Sequence, residues 1–173
     1  MENTTALSPS RGLIKKGMLD ILILTFIYFI PAISHLFSFP VYVFDPMRIM
    51  VVLSIMYTGR KNAHIIALSL PVFSFIVSGH PVFFKALIIA AELSINVWMF
   101  FVLKEKIKNN FGALFLSIVS AKLFYYAVKY SVIALGLAAA EVVATPLYVQ
   151  LGVALVLSLY IQAGPGKNKE INV

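Results

Sequence analysis

The chain contains no cysteine, so neither a disulfide framework nor a thiolate metal site holds it together. Charge is scarce as well: 12% of the 173 residues are Asp, Glu, Lys or Arg, against roughly 25% in an ordinary soluble domain. Acids are the rarer sign, seven against fourteen bases. No two carboxylates sit at a glycosidase-like spacing, and His35, His64 and His80 are too scattered for a helix-borne metal motif. A phosphate-cradling Walker loop and a nucleophile-elbow glycine pattern are missing too. The expectation is a protein that is not an enzyme and does not itself hydrolyse ATP.

What fills the chain is apolar. Hydrophobic residues make up 61% of it and the mean hydropathy is +0.94, which places it among integral membrane proteins. The expected fold class is all-α: a polytopic six-transmembrane-helix bundle with both termini cytoplasmic. Residues 1–17 form a polar N-terminal tail, 18–163 a single membrane domain and 164–173 a C-terminal tail. The first apolar run, Met18–His35, follows a basic stretch as a signal peptide would, but no small-x-small cleavage site follows, Pro31 interrupts it and further apolar segments come after. It reads as a retained first helix. Leu36–Pro46 is a loop with Pro40 and the turn-forming Asp45-Pro46. The next two segments, Met47–Thr58 and His64–Ser78, are shorter than the ~20 residues of a full crossing. They are two short spans or a re-entrant hairpin, joined by Gly59-Arg60-Lys61-Asn62. The fourth span covers His80–Leu103, the fifth Phe111–Leu137 and the sixth Leu147–Ala163.

Ten of the fourteen bases fall on one face of this arrangement: Arg11, Lys15 and Lys16 in the first tail, Arg60 and Lys61, then Lys104, Lys106 and Lys108, and Lys167 and Lys169 in the last tail. By the positive-inside rule that face is cytoplasmic. The net charge of +7 is therefore a topology signal, and nucleic acid is not an expected partner. A hairpin entering from the far side would put Arg60 and Lys61 inside the membrane, which disfavours it.

Arg48, Lys85, Lys122 and Lys129 remain unexplained by topology, as does Glu92 near the middle of span four. An acid at bilayer depth costs roughly 2.5–3.5 kcal/mol on insertion scales and survives with a partner, water or a bound proton. Lys122, at comparable depth in span five, is the expected partner. The pair reads either as a structural lock between spans four and five or as the floor of a ligand pocket. Arg48 and Lys85 lie near the outer ends of spans two and four, where they would snorkel to lipid phosphate or draw in an anionic ligand. Lys122, Tyr125, Tyr126 and Lys129 share one face of span five, with Leu116, Phe124 and Ala127 on the other. The tyrosines would stack a ring or act as interfacial belt residues, and Trp98 is an expected anchor toward the cytoplasmic end of span four. Ala86/Ala90 and Ala134/Ala138 permit close helix approach.

Three stretches carry a family resemblance: FIPAISH (Phe29–His35), the long run Phe44–Trp98, and AKLFYYAVK (Ala121–Lys129). Together they resemble the substrate-binding S components of energy-coupling factor (ECF) transporters, in the subfamily of unassigned substrate, over about the central two-thirds of the chain. The matching positions are Pro31 and His35, Met47-Arg48, Pro71 and Ser74, Gly79 with Pro81, Ala91-Glu92-Leu93, and Ala121-Lys122. Departures are Arg48 in place of histidine, Asn96 in place of an aromatic residue, and Lys122 in place of arginine. An Ala-x-x-x-Ala step in span one is missing. The resemblance implies a pocket in the outer half, formed by spans four to six and capped by Tyr42, Asp45 and Glu141. It implies a subunit in a prokaryotic cell membrane that captures a small vitamin-like micronutrient. Uptake would be driven by ATP used by partners, a transmembrane coupling subunit and two ATPases. The substrate-binding residues on this reading are Glu92, Lys122, Tyr125, Tyr126, Lys129, Lys85, Arg48, His35 and Asn96, with no metal and no cofactor of its own. The rival reading is a membrane scaffold of MreD-like morphogenesis type, which has similar size and span count.

Overall fold

A computed structural model describes residues 11–36, 41–79, 81–136 and 145–164. It is all-helical: α1 (Arg11–Leu36), a 3₁₀ turn (Val41–Phe44), α2 (Pro46–Tyr57), α3 (Arg60–Ser78), α4 (Phe83–Lys106), α5 (Asn110–Ala134) and α6 (Leu147–Ala163). By length and composition α3, α4 and α5 are able to cross a membrane, whereas α2, α6 and the apolar part of α1, Gly17–Phe29, are shorter.

Two boundaries differ from the sequence reading, the starts of α1 and α3. α1 starts at Arg11 and runs through Pro31, so part of the expected polar tail is helical; Lys and Arg are good helix formers once outside the apolar run. Arg60, Lys61 and Asn62 form the first turn of α3 and not a loop. Gly59, at φ 93, makes the turn that precedes them. α3 ends at Gly79, whose left-handed φ of 65 lets its N–H reach the Phe75 carbonyl at 2.8 Å. The tails at 1–10 and 165–173, with Lys167 and Lys169, lie outside the described residues, as do Glu141, Ala138 and the His35 side chain.

Short connections make neighbouring helices antiparallel. One end of the bundle, hereafter the basic end, is marked by contacts among helix termini. Tyr57 Oη lies 3.3 Å from Tyr160 Oη, Asn62 Nδ2 donates to Asp20 Oδ1 at 2.6 Å, and the Phe111 N–H donates to Gln162 Oε1 at 3.2 Å. There too the Arg60 guanidinium lies 5.6 Å from the Phe101 ring centroid. α4 packs chiefly on α5 and α3, and α6 on α5.

Helix lengths measured from this common end decide the architecture. At about 1.5 Å per residue, the 24 and 25 residues of α4 and α5 span about 36–38 Å, but the 12 of α2 span only about 18 Å. The N-terminus of α2 therefore stops at mid-depth, and Asp45 with the turn Val41–Phe44 enters at that level, Tyr42 and Phe44 remaining exposed. The contiguous apolar core keeps to the same half. It comprises Ile23 and Ile27, Val51, Val52 and Ile55, Ile66 and Leu70, Leu93, Val97 and Phe100, Leu114 and Ile118, and Leu157 and Ile161. Further from the basic end, the buried residues of α4 and α5 are Ala86, Ala90, Tyr125 and Lys129, which are outside that core cluster.

Candidate functional site

Four ionisable side chains from three helices and a loop meet where the apolar core ends. Glu92 is the tenth residue of α4 and Lys122 the thirteenth of α5. Counted from the basic end, both lie about 18–21 Å along their helices, the level of the α2 N-terminus. Lys122 Nζ is 3.1 Å from Glu92 Oε1 and 3.2 Å from Asp45 Oδ2. Arg48 Nε donates to Asp45 Oδ2 at 2.8 Å, and Arg48 Nη2 donates to Glu92 Oε1. Two acids and two bases thus form a closed, neutral network linking α2, α4 and α5. A buried charge is tolerated in a low-dielectric interior when it is both paired and hydrogen-bonded, and these are.

Burial is graded across the network. The Arg48 and Glu92 side chains are 1% and 3% exposed, whereas those of Asp45 and Lys122 are 28% and 23% exposed. The Asp45 carboxylate sits between the Arg48 guanidinium and the Lys122 ammonium, which offset the cost of burying it. Arg48 Nη1 has no hydrogen-bond partner among the described residues.

The expected Glu92–Lys122 pair is present. Of the two readings for Arg48, snorkelling to lipid phosphate does not fit a side chain that is 1% exposed and paired with Glu92 at the start of a half-length helix; the anionic-ligand reading stands as a proposal. Asp45, expected only to cap, is a full member of the network.

Above it, Tyr125 and Lys129 continue the α5 face, each 9% exposed. The Tyr125 ring centroid is 5.4 Å from Lys122 Nζ and 5.7 Å from Lys129 Nζ. Both are cation–π distances. Tyr126 packs edge-on against Tyr125, and its hydroxyl donates to Gln150 Oε1 at 2.8 Å; Gln150 Nε2 donates in turn to the Thr145 carbonyl at 2.7 Å. Gln150, missed by the sequence reading, ties α6 to the site, and a lone polar residue in an apolar run was the signal for it. Leu116, Phe124 and Ala127 turn outward as expected.

Two expected site residues, Asn96 and Lys85, are not brought into the network. Asn96 is fully buried one turn deeper on α4, where Nδ2 donates to Ser117 Oγ at 2.9 Å. Lys85 lies two turns beyond Glu92 on the same α4 face, half-buried and in no ion pair among the described residues. His35 belongs to the last turn of α1, and its side chain is outside the described residues.

A cavity of about 430 Å³ lies between the Val41–Phe44 turn, α2 and α6, lined by Phe44, Ile49, Val149, Gly152, Val153, Val156 and Leu157. Its wall is apolar and includes none of the ionisable side chains, and of spans four to six only the sixth lines it. Among the described residues no group of His, Cys, Asp and Glu is arranged to hold a metal ion.

No family model, curated protein or solved structure matches the chain. The chemistry of the site has to be read from its own residues.

Proposed function

We propose that this chain is the substrate-capturing S component of an ECF-type transporter. On this reading it sits in a prokaryotic cell membrane with six crossings and both termini in the cytoplasm. It binds a small vitamin-like solute from outside and relies on a coupling subunit and two ATPases for uptake. The observation that carries this reading is the division of the bundle at the ion network. A contiguous apolar core occupies the basic half, while the buried residues of α4 and α5 beyond the network are small, aromatic or charged. A bundle built only for rigidity gains most by extending its apolar packing along its whole length. One that holds a polar solute needs small and polar walls over a charged floor. The family resemblance points the same way, and the basic end corresponds to the cytoplasmic face under the positive-inside rule.

The test is purification of the chain from its native membrane in lipid nanodiscs, followed by mass spectrometry of bound solutes and an uptake assay for whatever is found. A single solute at near-stoichiometric amount, taken up less well when Lys129 or Tyr125 is replaced by Ala, supports capture. A chain with no solute, whose loss alters no nutrient requirement, overturns it. The scaffold reading draws on the network's internal neutrality, which suits a helix lock. It predicts that Lys129→Ala and Lys85→Ala leave function intact while loop changes break a partner complex.

A further inference from the structure

Asp45 is placed in a way that neither capping nor packing explains. It is the one non-glycine residue with positive φ among the described residues, at φ 52 and ψ 58, a region that side chains other than Asn and Asp rarely enter. It stands at the N-cap of α2, where a carboxylate would ordinarily accept from the first free N–H groups, yet its side chain makes no such bond. Its carboxylate lies instead between Arg48 Nε, at 2.8 Å, and Lys122 Nζ, at 3.2 Å. A left-handed turn, which Asp tolerates, and a forgone cap together put an anion between two cations.

That anion is also the accessible one. Asp45 and Lys122 form the more exposed edge of the network, and Glu92, at 3% exposure, is sealed beneath. The guanidinium is only partly used: Nε serves Asp45, Nη2 serves Glu92, and Nη1 is buried without a partner among the described residues. A guanidinium presents its donors as a fork that suits a carboxylate or similar planar anion.

We propose that Asp45 is a built-in placeholder: its carboxylate occupies an anion site formed by Arg48 and Lys122, and the carboxylate of an incoming solute displaces it. Exchange of one monoanion for another leaves the buried charge balanced at the start and the end. The displaced Asp45, on a connecting segment and already part-exposed, returns to water. Glu92 stays as the fixed counter-charge beneath. The Tyr125 ring beside Lys122 favours a solute whose carboxylate is carried on a flat apolar body. The purpose given to the exchange rests on the capture reading, but the anion site does not.

The experiment compares benzoate with its neutral analogue benzamide on the full chain in nanodiscs, by titration calorimetry and thermal unfolding, in the natural protein and in Asp45→Gly. Glycine adopts positive φ freely, so the turn is kept while the placeholder is removed. Benzoate is expected to bind Asp45→Gly about tenfold or more tightly than the natural chain, because no internal competitor then holds the site. Benzamide is expected to bind neither, and Lys122→Gln in the Asp45→Gly background to abolish the gain. If Asp45→Gly is too unstable to purify alone, its recovery in benzoate but not in benzamide is the expected result. Equal affinity of both chains for benzoate, equal binding of benzamide, or no rescue of an unstable variant overturns the proposal. An uptake-competent chain without the benzoate gain loses the placeholder and keeps capture. A gain in a chain that captures and transports nothing does the reverse.

Discussion

Glu92 is held by two cations that differ in depth, and this sets what each substitution should cost. Removing one partner of a buried pair leaves the other uncompensated and typically costs about 3–5 kcal/mol. Glu92→Gln leaves Arg48, at 1% exposure, and Lys122 to share Asp45 alone, a buried excess of one positive charge, and is expected near that range in a denaturant titration. Lys122→Gln leaves Glu92 with Arg48 and removes a side chain that is 23% exposed; a loss of about 1 kcal/mol is expected. Equal losses would mean that the gradient in burial does not govern the network. Asn96 is predicted to be a packing residue: Asn96→Leu should hold stability within about 1 kcal/mol, since its Oδ1 has no partner among the described residues and Ser117 keeps its bond to the Leu114 carbonyl. The Glu92–Lys122 pair was legible in the sequence because each residue interrupts a long apolar run at a depth that counting reveals. Arg48 and Asp45 were not, since their depth depends on where a short helix begins relative to the long ones.

Among the elements, α5 shows how far a helical face can be read in advance. Its seven-residue spacing placed Lys122, Tyr125 and Lys129 together, and the structure keeps them together. The tie to α6 was hidden, because it depends on Gln150, one polar residue whose partner lies across a loop. Tyr126→Phe breaks that tie and is expected to cost about 1 kcal/mol, with Leu123→Ala, on the exposed side of the helix, within about 0.5 kcal/mol. On α4 the buried Ala90 is 5% exposed. If Ala90 walls the solute site, Ala90→Leu should cost less than about 1 kcal/mol in the same titration while weakening solute binding; a loss of about 1–3 kcal/mol from overpacking would mean that no room exists beside α4 at that level. The boundaries of α1 and α3 escaped the sequence reading for a simple reason: charged first turns look like loops when only hydropathy is counted.

For the molecule as a whole, the missing cysteines are an experimental advantage, because any single cysteine introduced is the only thiol present. Lys108→Cys at the basic end and Val82→Cys at the opposite end should react with an impermeant maleimide from opposite sides of the membrane. Labelling of Val82→Cys in intact cells and of Lys108→Cys only after permeabilisation is expected; labelling from one side only would break the alternation on which the six-span reading stands. The all-helical class was plain from composition and a polar outer half from the Lys122–Lys129 face, whereas the level at which the apolar half gives way to the polar one was not. That division follows from the length of α2. A solute resting on the Arg48–Lys122 pair would have only the length of one short helix, about 18 Å, between itself and the basic face. Against a hydrocarbon layer about 30 Å thick, capture alone would already have carried it roughly 12 Å, more than a third of the way across, before any ATP is spent.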